Sequence, residues 1–100
     1  MSVNETTKAK FHPGQIVATP GALEALQDAG QQPHEFLVRH LSGDWGDLDQ
    51  EDRSLNDAAV IDGSRILSAY TTRKGERLWI ITEASDDHRL ATTILLVSEY

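Results

Sequence analysis

The chain has 100 residues, a formal net charge of −7 and no cysteine. This length allows one domain with a modest core, and the lack of cysteine excludes disulfide frameworks, thiolate metal sites and cysteine nucleophiles. The negative charge disfavours a dedicated DNA- or RNA-binding module, and no apolar run approaches the roughly 20 residues that span a bilayer. We therefore expect a cytoplasmic protein that neither binds DNA directly nor inserts into a membrane.

The N-terminal part of the chain predicts a leader followed by one short strand. Residues 1–10 are mostly polar, which is typical of a flexible leader, so a single domain is expected over residues 11–100. Residues 15–18 form a short extended run that ends before Pro20. This run is long enough for one brief strand.

Three amphipathic segments follow and predict two to three helices. The first begins with Thr19 as the N-cap of a helix that starts with proline, and Gly30 ends it. The second covers residues 33–41. The third begins at Asp49, whose side chain suits an N-cap, and stops before Gly63.

After the helices the apolar pattern changes from helical to extended. Residues 65–72, 77–82 and 91–97 are rich in β-branched and aromatic residues, and a loop containing Gly75 joins the first two as a hairpin. We predict an α+β fold with a short N-terminal strand, the helices, and then a three-stranded antiparallel sheet. Because both faces of these strands carry apolar residues, a homodimer that covers the outer face stays open as an alternative.

The negative charge is concentrated in one segment of the chain. Residues 44–62, here called the acidic segment, contain seven acidic residues against Arg53, and so contribute −6 of the net −7. Such a segment repels phosphate and attracts basic protein surfaces, and Trp45 within it offers an apolar contact. The alternative is a solvated loop and helix start that only maintains solubility. The residues predicted to contact a basic protein partner are Asp44, Trp45, Asp47, Asp49, Glu51 and Asp52.

No metal site and no cofactor are expected. The acidic run that begins at Asp44 has glycine and leucine where an EF-hand loop needs oxygen ligands. His34 and His40 lie on different faces of one predicted helix, and His12 and His88 lie elsewhere in the chain. We interpret these histidines as solvated or capping residues. Phosphate-binding loops and dinucleotide-binding fingerprints are absent from the sequence.

A catalytic alternative depends on charged residues near the predicted sheet. RNA cleavage needs a base, an acid and cations that stabilise the charge on the phosphorane. Glu83 or His88 could act as base or acid, with Arg65 and Arg89 as the cations. The order of elements is also similar to that of RelE and barnase-like ribonucleases, which is an analogy of fold alone. Those ribonucleases usually present basic surfaces to RNA.

Four parts of the sequence carry a resemblance to a bacterial family. They are QIVATPGALEAL at residues 15–26, His40 with GDWGD at residues 43–47, LWIITEA at residues 78–84, and TTILL with the closing SEY. On these segments the chain resembles a family of small proteins common on plasmids and other mobile elements, some of them labelled as restriction-modification subunits. The family has no established activity.

The resemblance and the charge together predict a non-catalytic interaction or regulatory protein of a mobile genetic element. Such a protein could act as an inhibitor that presents its acidic segment to a basic, nucleic-acid-handling partner. Family members usually read Glu-Ala-Asp-Arg-Ser after the second strand, whereas this chain has a longer stretch over residues 83–90. The resemblance therefore does not fix the placement of an Asp-Arg pair here.

Overall fold

The computed structural model describes residues 9–84 and 91–100. Three helices and four strands follow in the order β1 (Gln15–Ala18), α1 (Pro20–Asp28), α2 (Pro33–Leu41), α3 (Gln50–Asp62), β2 (Ile66–Thr71), β3 (Arg77–Thr82) and β4 (Ala91–Leu96), with a 3₁₀ turn at Val97–Glu99. The predicted α+β class is confirmed, and the elements lie close to their predicted positions. No helix in the described ranges is long and apolar enough to cross a membrane.

The four strands form one mixed sheet in the order β1-β4-β3-β2. The two hairpin pairs are antiparallel, but β1 lies parallel to β4, with Ala18 opposite Ile94. The predicted three-stranded antiparallel sheet is therefore corrected to a four-stranded mixed sheet. A local pattern could not give this result, because the paired segments are far apart in the chain and a parallel pair needs a long crossover.

The two ends of the domain meet at the start of α1. The Thr19 hydroxyl accepts a hydrogen bond from the Ala22 amide at 3.1 Å and donates one to a Glu99 carboxylate oxygen at 2.6 Å. The same carboxylate accepts from the Leu96 amide at 2.8 Å. These bonds hold the pKa of Glu99 below its usual value, the Thr19 contact contributing most. A side chain at Gly21 would collide with this carboxylate, so glycine permits the close approach.

One face of the sheet, here called the inner face, is covered by α1 and α2. Leu26 of α1 and Phe36 of α2 belong to one buried cluster with residues of β2, β3 and β4, and the Phe36 ring lies 5.4 Å from that of Tyr70. Burial raises the pKa of Tyr70 to about 12, and its hydroxyl donates to the Asp44 carbonyl at 2.7 Å. A second cluster places Trp45, Ala59 and Ile66 together beside α3.

The His40 side chain lies in the core and is 0% exposed. The interpretation of His40 as a solvated or capping residue is therefore wrong. Its ring nitrogens lie 2.6 Å from the Ser68 hydroxyl and 2.9 Å from the Thr82 hydroxyl. Thr82 in turn lies 2.7 Å from Thr92, which donates to the Pro13 carbonyl at 2.7 Å. Burial of a polar ring is tolerated here because both of its nitrogens have hydrogen-bond partners.

The direction of this hydrogen-bonded chain follows from its last member. The Thr92 hydroxyl has one hydrogen and donates it to the Pro13 carbonyl, so in the contact between the two threonines Thr82 must be the donor. The imidazole Nε2–H then donates to Thr82, and Nδ1 accepts from Ser68. The chain is thus complete when the His40 proton is on Nε2, and it joins α2 to three strands.

The outer edge of β2 is closed by other parts of the chain. The Asn56 side chain donates to the Leu67 carbonyl at 2.7 Å and accepts from the Leu67 amide at 3.2 Å. Further along the strand, the Ala69 amide donates to the Trp45 carbonyl and the Asp47 amide donates to the Ala69 carbonyl. One amide side chain and one short loop therefore take the place of a fifth strand.

Candidate functional site

A concave feature lies on the other face of the sheet, here called the outer face. It is a groove of about 610 Å³ between the beginning of α3 and strands β2 and β3. Its floor is apolar and includes Leu67, Ala69 and the half-buried ring of Trp79. Concave sites with an apolar floor and a few polar groups are the usual places where proteins bind ligands or partners.

One wall of the groove is acidic and comes from the acidic segment. Asp47, Asp49 and Asp52 line this wall and are exposed. Asp49 is the N-cap of α3, as predicted, and accepts a hydrogen bond from the Asp52 amide at 2.9 Å. Asp47 is held beside the sheet by the Thr71 hydroxyl, which donates to its carboxylate at 2.9 Å.

The single base of the acidic segment does not neutralise this wall. Arg53 donates to the Leu48 carbonyl at 2.9 Å and to the Gly46 carbonyl at 2.6 Å, so its guanidinium supports the loop backbone. The loop requires glycine at position 46, because φ there is +78° and a Cβ would collide with the Ala69 carbonyl. The carboxylates of the wall are exposed beside the groove, and in the described ranges Arg53 forms no ion pair with them.

Other acidic residues of the segment have structural partners. Asp44 forms an ion pair with Arg39 at 2.7 Å, and this hydrogen bond holds the pKa of Asp44 below its usual value. Asp57 accepts from the indole of Trp45 at 3.0 Å, and Asp62 accepts from the Ser64 amide at 2.8 Å. Glu51 lies exposed in the first turn of α3, outside the groove lining.

The structure corrects the role expected for Trp45. Its side chain is only 2% exposed and packs against Phe11 and His40, with ring centroids 6.3 Å and 6.0 Å away. An indole in the core removes apolar area from water within the chain itself, so it offers no contact to a partner. The aromatic ring available to the groove is instead Trp79, which the alternation along β3 places on the outer face.

Two arginines, Arg65 and Arg77, also line the groove, at opposite ends of the β2–β3 pair. Arg65 directly precedes β2, and Arg77 lies opposite Thr71, which holds Asp47. Arg65 donates to the Tyr100 hydroxyl at 3.0 Å, and the Tyr100 ring lies 5.0 Å from that of Trp79. Within residues 9–84 and 91–100, the ion pair found is that of Arg39 with Asp44, so neither arginine pairs directly with the acidic wall. Charges of both signs therefore line one groove without a direct ion pair between them in the described ranges.

The residues of the catalytic alternative are only partly described. Arg65 lies in the groove, and Glu83 is exposed after the end of β3, in line with Arg65 if the β2–β3 register is extended by one residue. His88 and Arg89 lie outside the described residues. The described part of the chain contains no group of three or more histidine, aspartate or glutamate side chains that could hold a metal ion.

Three of the six predicted contact residues come together in the groove, and the groove also includes residues that sequence reasoning did not assign to it. Arg77 and Trp79 are two residues apart on β3 and therefore lie on the same face of the strand. Their alternation with Leu78 and Ile80 is the sequence signal that could have shown this.

Comparison of the chain with protein-family models, with curated proteins and with solved structures found no match. The family resemblance therefore stays a prediction.

Proposed function

We propose that this chain is a non-catalytic acidic interaction protein of a mobile genetic element. Its partner is a basic protein that handles nucleic acid, and the contact surface is the groove with its acidic wall. The observation that carries the proposal is the placement of Asp47, Asp49 and Asp52 along one wall of a groove whose floor is apolar. This geometry offers both charge and apolar area to a partner.

The electrostatic part of the proposal depends on charges that the chain leaves available. Arg53 is turned toward backbone carbonyls, and the groove arginines form no ion pair with the acidic wall in the described ranges. Lysine or arginine side chains of a partner can therefore approach the three exposed carboxylates of the wall. The same surface repels phosphate, so it favours the partner's nucleic-acid-binding face over nucleic acid itself.

The apolar part of the proposal depends on Trp79. Its ring is half-buried and lies over the outer face beside Leu67 and Ala69. An aromatic ring at the floor of a groove with a polar rim is the arrangement in which single residues contribute most to protein binding. Trp79 thus takes the place that the sequence suggested for Trp45.

The test is capture of partners from a nuclease-treated lysate with the wild-type chain and a variant as baits. The variant carries Asp47→Asn, Asp49→Asn and Asp52→Asn. Asparagine is also a good N-cap, so α3 keeps its start. If each exposed pair contributes about 0.5 kcal/mol, the three changes together weaken affinity about tenfold. We expect a basic protein that the wild type retains and the variant loses.

A matched control removes the same charge elsewhere on the surface. It carries Glu24→Gln, Asp28→Asn and Glu76→Gln, three exposed residues outside the groove. This control should retain the partner, and high salt should release it from every bait. Equal loss from both variants would overturn the groove as the binding surface. Recovery of bait alone, together with RNA cleavage that Arg65→Ala abolishes, would favour the ribonuclease alternative.

A further inference from the structure

Within residues 9–84 and 91–100, the edge of the sheet formed by β1 is open, in contrast to the closed edge at β2. Among these described residues β1 pairs on one side only, with β4. The Thr19 amide donates to the Ile94 carbonyl, so Thr19 and Val17 direct their backbone groups toward β4. Because backbone direction alternates along a strand, the amides and carbonyls of Ile16 and Ala18 point away from the sheet.

The residues just before and just after this open edge have no free backbone donor for a further strand. The Gly14 amide donates to Nδ1 of His12 at 3.1 Å. Pro20, at the other end, has no amide hydrogen. In the part of the chain that the structure describes, the residues with both a donor and an acceptor open on this edge are therefore Ile16 and Ala18. Any added strand must pair with these two.

The edge also lacks the charged residues that commonly protect against pairing. Natural edge strands are kept from pairing by short length, proline, lysine, inward-pointing charges or bulges. β1 is short and is followed by Pro20, but residues 13–23 contain no charged residue in a chain with a net charge of −7. Ile16 and Val17 are 46% and 43% exposed, and they lie on opposite faces of the strand.

We propose that this edge binds a second copy of the chain, with the two β1 strands antiparallel about a twofold axis at Val17. Ile16 of one copy then faces Ala18 of the other, and each such pair exchanges two backbone hydrogen bonds. The symmetry gives four bonds from the four open residues. The two sheets join into one sheet of eight strands.

The pattern of open groups selects this register over its neighbours. Pairing Ile16 with Ile16 would place Ala18 opposite Gly14, whose amide is already bonded to His12. Pairing Ala18 with Ala18 would place Ile16 opposite Pro20, which has no donor. Each shift by one pair therefore loses hydrogen bonds, so the edge is complementary to itself in one arrangement.

Electrostatics does not oppose a second copy at this edge. The acidic segment includes α3, which contacts β2, and β2 lies at the opposite edge of the sheet. In the joined sheet the two β2 strands are seven strand spacings apart, about 33 Å, which is several times the Debye length at physiological salt. The acidic segments therefore do not repel each other, and the pairing is independent of the groove and its proposed function.

The test is sedimentation of the purified chain over a range extending to millimolar concentration. The 11.1 kDa monomer should convert to a dimer as concentration rises. A mixture of labelled and unlabelled chains should show an intermolecular contact between the α-protons of Val17, because this residue forms the close, non-hydrogen-bonded pair on the axis. A monomer at all concentrations would overturn the proposal.

Two variants test the edge without removing a backbone hydrogen bond between β1 and β4. Val17→Lys places two like charges on the axis, and Ala18→Pro removes an amide that points away from β4. Each should weaken self-association about tenfold or more. Ile61→Lys adds the same charge at an exposed position on α3 and should leave association unchanged. A dimer that both edge variants leave intact would contradict this interface.

Discussion

At the scale of single residues, the most specific structural feature is the buried series of hydrogen bonds that runs from Ser68 through His40 to the Pro13 carbonyl. Thr92 is its last donor and is fully buried. Thr92→Val keeps the side-chain shape but leaves the Pro13 carbonyl and the Thr82 hydroxyl without their partner. We expect a loss of about 1–3 kcal/mol in the free energy of unfolding, measured by urea denaturation.

The neighbouring threonine provides the control for this prediction. Thr93 lies on the outer face of the same strand and is half-buried, so Thr93→Val changes strand propensity and volume to the same extent. This variant should stay within about 0.5 kcal/mol of the wild type. Equal effects of the two substitutions would show that the buried hydrogen bonds contribute nothing specific.

Single residues also show where sequence reasoning stops. Trp45 stands in a polar, acidic run, so the sequence suggests an exposed ring, yet the structure buries it against Phe11 from far upstream in the chain. The distant contact decides the outcome, and no local pattern contains it. Strand alternation alone places Trp79 on the face opposite Leu78 and Ile80. It does not show which face the helices cover or that Trp79 lies beside the acidic wall, because both depend on how the helices dock.

At the scale of elements, α3 both presents the acidic wall and closes the edge of β2 through Asn56. Asn56→Ala removes both bonds to the Leu67 backbone and leaves these groups open to water. We expect faster hydrogen exchange at the Leu67 amide. The Ser68 amide should be affected less, because it faces β3 in the alternating pattern.

Helix propensity is the competing effect in this experiment. Alanine is the better helix former, so Asn56→Ala could strengthen α3 while weakening the edge. Ser54→Ala makes a similar change in propensity at an exposed position of the same helix, and it should leave exchange at Leu67 unchanged. Unchanged exchange at Leu67 in Asn56→Ala would mean that the amide side chain does not protect the strand.

Elements differ in how far the sequence predicts them. The helix starts at Thr19 and Asp49 were predictable because capping side chains act within one turn. The three antiparallel strands were predictable because hairpin pairing is local. The parallel pairing of β1 with β4 was not, because its partners approach only after the whole domain has folded. The open edge, and with it the proposed second copy, follows from that pairing.

At the scale of the whole molecule, the distribution of charge predicts opposite salt effects on the free chain and on its complex. Seven acidic residues lie within residues 44–62, and their one base supports backbone carbonyls. Salt screens the repulsion among these carboxylates, so the free chain should become more stable as salt rises. A gain of about 1 kcal/mol corresponds to a rise of roughly 4–8 °C in Tm for a domain of this size.

The variants of the groove identify the source of this effect. The chain with asparagine at positions 47, 49 and 52 should gain less Tm between low and high salt than the wild type, because part of the repulsion is already gone. The variant with neutral residues at positions 24, 28 and 76 should keep most of the salt effect, since those charges lie outside the acidic segment. Equal salt responses in all three chains would mean that the segment is not under electrostatic strain. If the expected order holds, the same carboxylates that weaken the free fold are the ones whose charge a basic partner would neutralise, and salt would then stabilise the chain while releasing its partner.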